Sequence, residues 1–365
     1  MSLNPLERNH TTIAAAFHVF VQNTDGGASP LYHHLSARIA EDNALIDLAL
    51  ATRAGQPPPN MLFAAVQMLL LAQDSGRRMQ DSEDLAAYYP NLGGERAPDA
   101  ALFGLFRAFC LRNEERTREL LTTKITQTNE VRRCTLLLPA FATVAARGGK
   151  RPLALIEIGP SAGLNLHFDR YGYWYASVEQ DAEFKTQDSE AQMAQAQGQD
   201  GRQLGLHDSS VQLRTTLRGP HRPPLPATFP AVASRVGVDL NPIDVHDEDA
   251  VRWLEALIWP EHTQRFANLK AAIELARRNP PPLIAGDALE LLPDLLAALP
   301  EDVTPCVFHT FVVYQFPPAA RAQLDALLHA AAKRRTIYRI GCEGQRAGRS
   351  CGGRATQPMS PASSS

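Results

Sequence analysis

Features that would assign this chain to several protein classes are scarce among its 365 residues. Its five cysteines are Cys110, Cys134, Cys306, Cys342 and Cys351. They are far apart, no two form a CxxC pair and their number is odd, so the sequence predicts neither a disulfide framework nor a zinc site, and no other metal site is expected. Free cysteines fit a reducing compartment, and we therefore expect a cytoplasmic protein.

Long apolar runs and charge of one sign are also missing. The longest apolar stretch, residues 61–72, is interrupted by Gln67 and is too short to cross a bilayer. The first ten residues are polar, so no secretion signal is expected. The chain has 36 Lys and Arg against 39 Asp and Glu, a formal net charge of −3. Without a basic field to hold a polyanion, nucleic acid is not an expected partner, and without a stretch long enough to span a bilayer neither is a membrane. The oligomeric state is not predicted.

What the chain does contain is enough apolar sequence, 44% of its residues, for a substantial core. Residues 5–147 carry apolar side chains at helical spacing, for example at Phe17, Phe20 and Val21. Clusters of Gly and Pro that would form turns between helices lie at residues 26–27, 57–59 and 90–94. We expect an all-helical N-terminal region over residues 1–150.

The pattern changes after residue 150, where short continuous apolar runs alternate with helical patterns. The runs that we predict to be buried strands are residues 153–158, 236–238, 283–285, 307–313 and 336–340. Strands that alternate with helices favour a parallel, doubly wound sheet. Residues 151–340 are therefore predicted to form a Rossmann-like α/β domain.

Two segments depart from this alternation. Residues 171–235 are predicted to be an inserted flap, in which residues 173–175 and 211–217 could pair as an antiparallel ribbon and residues 180–201 would be mobile. Residues 341–365 are rich in Gly, Arg, Ser and Pro, so we expect a disordered or aberrant tail. With an aberrant tail, the sheet would lack terminal antiparallel strands and expose an edge.

A glycine-containing turn follows the first predicted strand. Its pattern, E-x-G-x-S-x-G, consists of Glu157, Gly159, Ser161 and Gly163. Small residues let the backbone approach a ligand closely, and the following helix would offer free N–H groups to an anion. The dinucleotide fingerprint GxGxxG is not met, because Ser161 and Leu164 replace its second and third glycines. The pattern resembles motif I of class I methyltransferases, which implies that these residues contact S-adenosylmethionine. A purely structural turn is the alternative.

Two acids follow later predicted strands and resemble further motifs of the same enzymes. Asp239 ends a strand and precedes Leu-Asn-Pro, and Asp287 lies in Gly-Asp-Ala after another strand. The resemblance implies that Asp239 accepts both ribose hydroxyls, for which a carboxylate has acceptors and no donors. It also implies that Asp287 binds the adenine amino group and that the N–H of Ala288 meets a ring nitrogen. A turn or a helix cap is the alternative role for each acid.

The distance along the chain raises one difficulty with Asp239. It follows Gly163 by far more than the roughly 20 residues usual before a ribose-binding acid. Either residues 171–235 are a true insertion, or the nearer Asp169 has this role.

Candidate residues for the methyl acceptor come from two places. At the end of the fourth predicted strand, His309 or Tyr314 could position or deprotonate an acceptor, although a histidine beside apolar residues can equally be a core residue. In the helical region a polar stretch would either line the acceptor pocket or cap a solvated helix. Its candidate residues are Gln127, Asn129, Glu130 and Arg132.

Five segments together resemble a bacterial family of uncharacterised proteins known only as a domain of unknown function. They are residues 127–130, 157–166, 239–242, 259–261 and 308–310. The resemblance covers about residues 10–340 and implies a fold related to class I methyltransferases, but no substrate. We therefore predict an S-adenosylmethionine-dependent methyltransferase with a small-molecule acceptor. The alternative is a non-catalytic protein of the same fold that binds a ligand or acts as a scaffold, and a nicotinamide-dependent oxidoreductase ranks third.

Overall fold

The computed structural model describes residues 8–24, 28–73, 80–177 and 201–343. These residues form two compact units. The first unit contains the described residues up to 128 together with 248–267, and the second contains 129–177, 201–247 and 268–343. Of the helices described, none is long and apolar enough to cross a membrane.

Helices make up the first part of the described chain, and strands alternate with helices from residue 232 onward, as the sequence indicates. The described α-helices are α1 (His10–Asn23), α2 (Pro30–Ile39), α3 (Asn43–Ala49), α4 (Pro58–Gln73), α5 (Gln80–Ala86), α6 (Leu102–Arg112), α7 (Glu114–Thr123), α8 (Cys134–Arg147), α9 (Glu248–Ala256), α10 (Thr263–Arg278), α11 (Ala288–Ala297) and α12 (Pro318–Ala332). The described strands are β1 (Leu153–Ile158), β2 (Gly172–Ser177), β3 (Gly201–Gly205), β4 (Gln212–Leu217), β5 (Val232–Asp239), β6 (Leu283–Ala285), β7 (Thr304–Thr310) and β8 (Tyr338–Cys342).

The first unit is helical, and its sequence supplies capping side chains where helices begin. Asn9 precedes α1, and its side-chain oxygen accepts a hydrogen bond from Thr12 N at 3.0 Å, while Thr12 Oγ1 accepts one from Asn9 N at 3.0 Å. Ser29 caps α2 through Tyr32 N. These caps satisfy amides that the first turn of a helix leaves without partners.

The core of the first unit is built around Phe63 of α4. Tyr32 stacks on this ring with centroids 4.1 Å apart, and Phe17 and Phe106 contact it edge-on at 6.1 and 6.0 Å. Stacked and edge-on aromatic pairs stabilise a core beyond the burial of their area. Because these rings come from four different helices, they fix the packing of the bundle.

One buried polar side chain, Gln67, joins distant parts of the first unit. It is 0% exposed. Its Nε2 donates to the Ile258 carbonyl at 2.7 Å, and its Oε1 accepts from the Tyr32 hydroxyl at 3.0 Å. A buried polar group is tolerated when its partners are satisfied in this way.

The second unit contains five parallel strands in the order β6-β5-β1-β7-β8. All of β1 is buried, and its Ile158 pairs with Val238 of β5 and with His309 of β7. The carboxyl ends of these three strands therefore meet at one edge of the sheet. The prediction of an α/β domain with a mostly parallel sheet is confirmed, and the strand order is consistent with a Rossmann-like fold.

Helices cover both faces of this sheet. On one face Ile156 packs with Leu292 of α11 and Leu324 of α12. On the other face Phe308 of β7 contacts Phe141 of α8 edge-on, with ring centroids 5.1 Å apart. β1 and β7 are buried along their whole length, and burial on both faces explains why β1 is a continuous apolar run rather than an alternating one.

The ends of two strands differ from the prediction. β7 stops at Thr310 because Phe311 has a φ of 55°, a left-handed conformation that ends an extended strand. β8 continues through Gly341 and Cys342, which we predicted to begin the tail. The remainder of that predicted tail, residues 344–365, lies outside the described residues.

The predicted flap contains a second sheet, and its pairing corrects one expectation. The strand order is β3-β2-β4, with β2 and β3 antiparallel but β2 and β4 parallel. The antiparallel ribbon predicted for residues 173–175 and 211–217 is therefore wrong. Alternating apolar residues indicate a strand but not its direction, and β3 reverses the chain between the two. Of the segment predicted to be mobile, only Gly201 is described, and it begins β3.

The units also divide the helices differently from the predicted regions. α8 lies within the predicted helical region 1–150, yet it belongs to the second unit. α9 and the start of α10 lie between strands β5 and β6 in the sequence, yet they belong to the first. The hydrogen bond from Gln67 of α4 to the carbonyl of Ile258, which lies between α9 and α10, is one reason that this later segment belongs to the first unit.

We expect Gln67→Leu to destabilise the first unit by about 2–4 kcal/mol, since it leaves the Ile258 carbonyl and the Tyr32 hydroxyl buried without their partner. Urea unfolding followed by far-UV circular dichroism would measure this. Gln323→Leu, at an exposed position of α12, is the matched control and should change stability by less than about 0.5 kcal/mol. Equal losses in the two variants would contradict the role of Gln67.

Candidate functional site

The residues singled out from the sequence meet where the parallel strands end. Glu157 lies in β1, Asp239 ends β5 and His309 lies near the end of β7. β6 ends at Ala285, and Asp287 follows it. Carboxyl ends of parallel strands form one edge of a sheet, and this edge is where open α/β sheets bind ligands.

The turn after β1 is left-handed at three alternate positions. Gly159, Ser161 and Gly163 have φ values of 67°, 58° and 71°. A Cβ atom at Gly159 would collide with the side chain of Val312, and one at Gly163 would lie 2.7 Å from Pro281 Cγ. The two glycines are therefore required by packing within the protein. Ser161 occupies its left-handed conformation without that freedom, which costs of order 1 kcal/mol.

The amides of this turn are already bonded to side chains. Ser161 N donates to Asp239 Oδ2 at 2.8 Å. Ala162 N and Leu164 N both donate to Asn129 Oδ1, at 3.2 and 3.1 Å. The element that follows is a 3₁₀-helix, Leu164–Arg170. The expectation that a helix here offers free N–H groups to an anion is thus wrong for these amides, because Asn129 and Asp239 accept their hydrogen bonds.

Glu157 is a carboxylic acid enclosed by protein. It is 0% exposed, and its Oε1 accepts from Asn165 Nδ2 at 3.5 Å, while its Oε2 has no hydrogen-bond partner among the described residues. Burial raises the pKa of Glu157 to about 8, although Asn165 and the charge of Arg133 lower it and Asp239 raises it. At neutral pH this carboxyl is therefore mostly protonated.

The two acids at the other strand ends, Asp239 and Asp287, accept hydrogen bonds from backbone amides of a turn and of a helix start, which are the alternative roles considered for them. Asp239 also accepts a hydrogen bond from Asn241 N at 2.9 Å. Asp287 caps α11, and its Oδ1 accepts from Leu289 N at 2.8 Å; Ala288 is the first residue of that helix. A carboxylate has two acceptor oxygens with two lone pairs each, so neither role prevents further hydrogen bonds.

Asp169, the other candidate for the ribose-binding acid, is held in an ion pair. Its two carboxylate oxygens accept from Arg235 Nη1 and Nη2, both at 2.8 Å. Arg235 Nη1 also donates to the Leu166 carbonyl at 2.6 Å. A bidentate pair of this geometry orients the carboxylate firmly toward the guanidinium. Asp169 lies in the 3₁₀-helix after the turn, whereas Asp239 ends β5 at the carboxyl edge, so Asp239 is the better placed of the two acids.

Three of the four predicted acceptor residues belong to the second unit, and Gln127 belongs to the first. Asn129 is 7% exposed and holds the turn amides. Glu130 caps the 3₁₀-helix Val131–Arg133 by accepting from Arg132 N at 3.0 Å, and Arg132 is half-buried. The capping alternative is thus correct for Glu130.

His309 is fully engaged by neighbours. It is 2% exposed, its Nδ1 lies 2.5 Å from Glu343 Oε1, and its Nε2 accepts from Arg339 Nε at 3.0 Å. An arginine is always a donor, so Nε2 is the unprotonated nitrogen and Nδ1 donates to Glu343. Tyr314, in contrast, is 53% exposed. The tyrosine is the more accessible of the two candidate catalytic residues.

The family of this protein is shown by a match over nearly the whole chain. A model of the bacterial family described as "Uncharacterized protein conserved in bacteria (DUF2332)" matches residues 14–360. The chain belongs to this family. No curated protein and no solved structure matches it. Membership in DUF2332 thus assigns relatives but no activity, and the matched range includes most of the residues that we predicted to form a tail.

Three residues at the edge were missed in the sequence. In this DUF2332 chain Arg133 donates to the carbonyl and hydroxyl of Thr310, both at 3.1 Å, and lies 4.7 Å above the Phe311 ring. Asn165 bonds the buried Glu157, and Glu343 bonds His309. Arg133 and Asn165 adjoin the motifs, so a search of neighbouring polar residues would find them. Glu343 adjoins none.

A cavity of about 660 Å³ lies at the opposite edge of the DUF2332 sheet, beside Leu296, Ile337 and Arg335. The guanidinium of Arg335 is used by the protein itself, since it donates to carbonyls beyond the end of α11. These belong to Leu299, Pro300, Glu301 and Val303. Among the described residues, no group of three or more His, Cys, Asp and Glu could hold a metal ion. The carboxyl edge therefore remains the candidate site.

The buried carboxyl of Glu157 predicts a pH-dependent effect of Glu157→Gln. The pKa of Glu157 is raised by folding from 4.5 to about 8, so the stability that its proton contributes is complete below about pH 4.5 and is lost as the pH rises through 8. Glutamine has no proton to lose. Between about pH 5 and pH 9 we expect the variant to gain a few kcal/mol of unfolding free energy relative to the wild type.

Chemical denaturation at several pH values would measure this change. Glu290→Gln, at an exposed position of α11, is the control for loss of a glutamate from the same unit. A difference between wild type and Glu157→Gln that is constant across the pH range would contradict a protonated Glu157.

Proposed function

We propose that the second unit binds S-adenosylmethionine at the carboxyl edge of its sheet, and that the protein is a methyltransferase acting on a small-molecule acceptor. The observation that supports this most directly is the hydrogen bond between the turn amide of Ser161 and Asp239. It joins the glycine turn to the acid at the next strand end, which are the two parts of a nucleoside-binding edge.

The occupied turn amides favour a nucleoside without phosphates. A dinucleotide is held largely by its pyrophosphate, which needs N–H groups of the turn and helix start. Here Ser161 N donates to Asp239, and Ala162 N and Leu164 N donate to Asn129. The acids at the edge would also repel a pyrophosphate. S-adenosylmethionine has no phosphate, and its sulfonium and ammonium groups are cationic.

The acceptors at the edge suit the groups of this cofactor. Asp239 is half-buried and is the candidate for the ribose hydroxyls, and Asp287 is exposed and is the candidate for the adenine amino group. Leu240, next to Asp239, is 80% exposed and offers an apolar surface to a base. Glu157 Oε2 and Ser161 Oγ are buried without hydrogen-bond partners among the described residues. Glu157 is enclosed by protein, whereas Ser161 lies in the turn itself, so the Ser161 hydroxyl is the one of the two that we expect a ligand over the turn to satisfy.

The reaction would require little chemistry from the chain. When bound, S-adenosylmethionine supplies a methyl group that its sulfonium has already activated, so alignment of the acceptor provides most of the rate enhancement. Tyr314 has an exposed hydroxyl and could orient an acceptor. His309 donates from Nδ1 and accepts at Nε2 within the protein, so it supports the edge rather than removing a proton.

A second candidate function is a ligand-binding protein that transfers no methyl group. Two observations favour it. His309, the histidine nearest the edge of β7, has both ring nitrogens engaged by Glu343 and Arg339. Ser161 stands where the motif has a glycine, and it has a left-handed backbone conformation with φ 58°. Incubation with labelled S-adenosylmethionine and small-molecule cell extract separates the two candidates, because only a methyltransferase yields a labelled product.

Isothermal titration with S-adenosylhomocysteine, S-adenosylmethionine and NAD tests the cofactor. We expect micromolar binding of the two adenosyl compounds, none of NAD, and at least about tenfold weaker binding by Asp239→Asn, which retains the shape of the side chain but loses an acceptor and the charge. Asp302→Asn, at an exposed position before β7, is the control and should bind like the wild type. Wild-type affinity in Asp239→Asn, or binding of NAD instead, would refute the proposal.

A further inference from the structure

Glu343, directly after β8, accepts an unusual number of hydrogen bonds. Its Oε1 accepts from His309 Nδ1 at 2.5 Å, from Val313 N at 3.2 Å and from Val312 N at 3.4 Å, and its Oε2 accepts from Tyr314 N at 3.2 Å. Three consecutive amides that converge on one carboxylate form a small anion-binding nest. The side chain of Glu343 thus fixes the backbone of the loop that follows β7.

His309, the side chain that donates to Glu343, is fixed by contacts on its other side. His309 Nε2 accepts from Arg339 Nε at 3.0 Å, and Arg339 Nη1 forms an ion pair with Asp325 of α12. The imidazole also lies against Gly341 of β8, where a Cβ atom would come within 2.9 Å of His309 Cε1. The ring therefore has one tautomer and one orientation, with Nδ1–H directed at Glu343.

The loop fixed in this way lies against the glycine turn. It consists of residues 311–315, and its Val312 side chain fills the space where Gly159 has no Cβ. Phe311 is held by the guanidinium of Arg133, 4.7 Å above its ring. Tyr314, at the other end of the loop, is exposed. A residue that fixes this loop consequently shapes the candidate site.

We propose that Glu343 is a positioning residue that, through His309 and the amides of Val312, Val313 and Tyr314, holds the 311–315 loop as one wall of the cofactor site. The role of the loop as a wall rests on the proposed function, whereas the ordering of the loop does not. Although burial raises the pKa of Glu343, its hydrogen bonds from His309 and from the loop amides lower it below the ordinary value, in keeping with an ionised acceptor.

The test compares Glu343→Gln with the wild type by three measurements. Glutamine has the same length, but it places an NH₂ donor where Oε1 or Oε2 accepts and removes the charge. Amide hydrogen exchange in residues 311–316 should become about tenfold faster, while exchange in β1 stays unchanged. In NMR spectra, the downfield, slowly exchanging Nδ1 proton of His309 should be lost. Binding of S-adenosylhomocysteine should weaken about tenfold.

Three further variants make the outcomes decisive. Asp325→Ala removes the exposed end of the same chain of contacts and should leave exchange in the loop at the wild-type rate. His309→Asn keeps a donor near the place of Nδ1, and should retain more of the loop protection than His309→Leu. Unchanged exchange and an unchanged His309 proton in Glu343→Gln would overturn the positioning role. Tighter ligand binding by Glu343→Gln would overturn the wall, because the loop would then block the site.

These results are separable from the cofactor proposal. If the wild type binds no adenosyl compound, the proposed function fails, but hydrogen exchange and the NMR signal still decide whether Glu343 orders the loop. If the wild type binds and Glu343→Gln binds equally well with a disordered loop, the cofactor proposal stands and the wall is refuted.

Discussion

The hydrogen bond from Ser161 N to the Asp239 carboxylate is the contact on which the arrangement of the candidate site depends. It joins the turn after β1 to the end of β5 at 2.8 Å, across 78 residues of sequence. The same carboxylate accepts from Asn241 N, so two loops share one acceptor. A charge-assisted hydrogen bond of this kind offsets part of the strain of Ser161 in its left-handed conformation. The acid is thereby fixed relative to the turn, whatever the length of the chain between them.

The balance of charge around this contact limits what the edge can bind. Glu157 is close enough to Asp239 to be affected by its charge, and burial keeps Glu157 mostly neutral at pH 7. Asn129 satisfies two turn amides with an uncharged oxygen. Arg133 and Glu343 add one charge of each sign, but both are engaged within the protein by Thr310 and His309. The carboxylates of Asp239 and Asp287 are accessible to solvent in part. Such an edge suits hydroxyls, amines and cations.

Much of the sheet was predictable, because strands that are buried on both faces consist mainly of apolar residues. The positions of Asp239 and Asp287 at strand ends followed from the same runs. The direction of β4 did not, since alternation has no direction, and the end of β7 depended on the φ of Phe311. The occupancy of the turn amides was equally hidden, because the carboxamide of Asn129 reaches them from a distant part of the chain. Glu343 lies in a segment whose composition suggested no structure at all.

The hydrogen bond between Gln67 and Ile258 has a consequence for biosynthesis. Its two ends lie 191 residues apart. During translation the helical unit lacks α9 until the ribosome has synthesised most of the chain, including β1 and β5 of the other unit. The apolar surface that the earlier helices later bury against α9 is therefore exposed during translation, at a stage when nascent chains are prone to aggregate. The helical unit thus completes its packing later than a unit whose segments are contiguous in sequence.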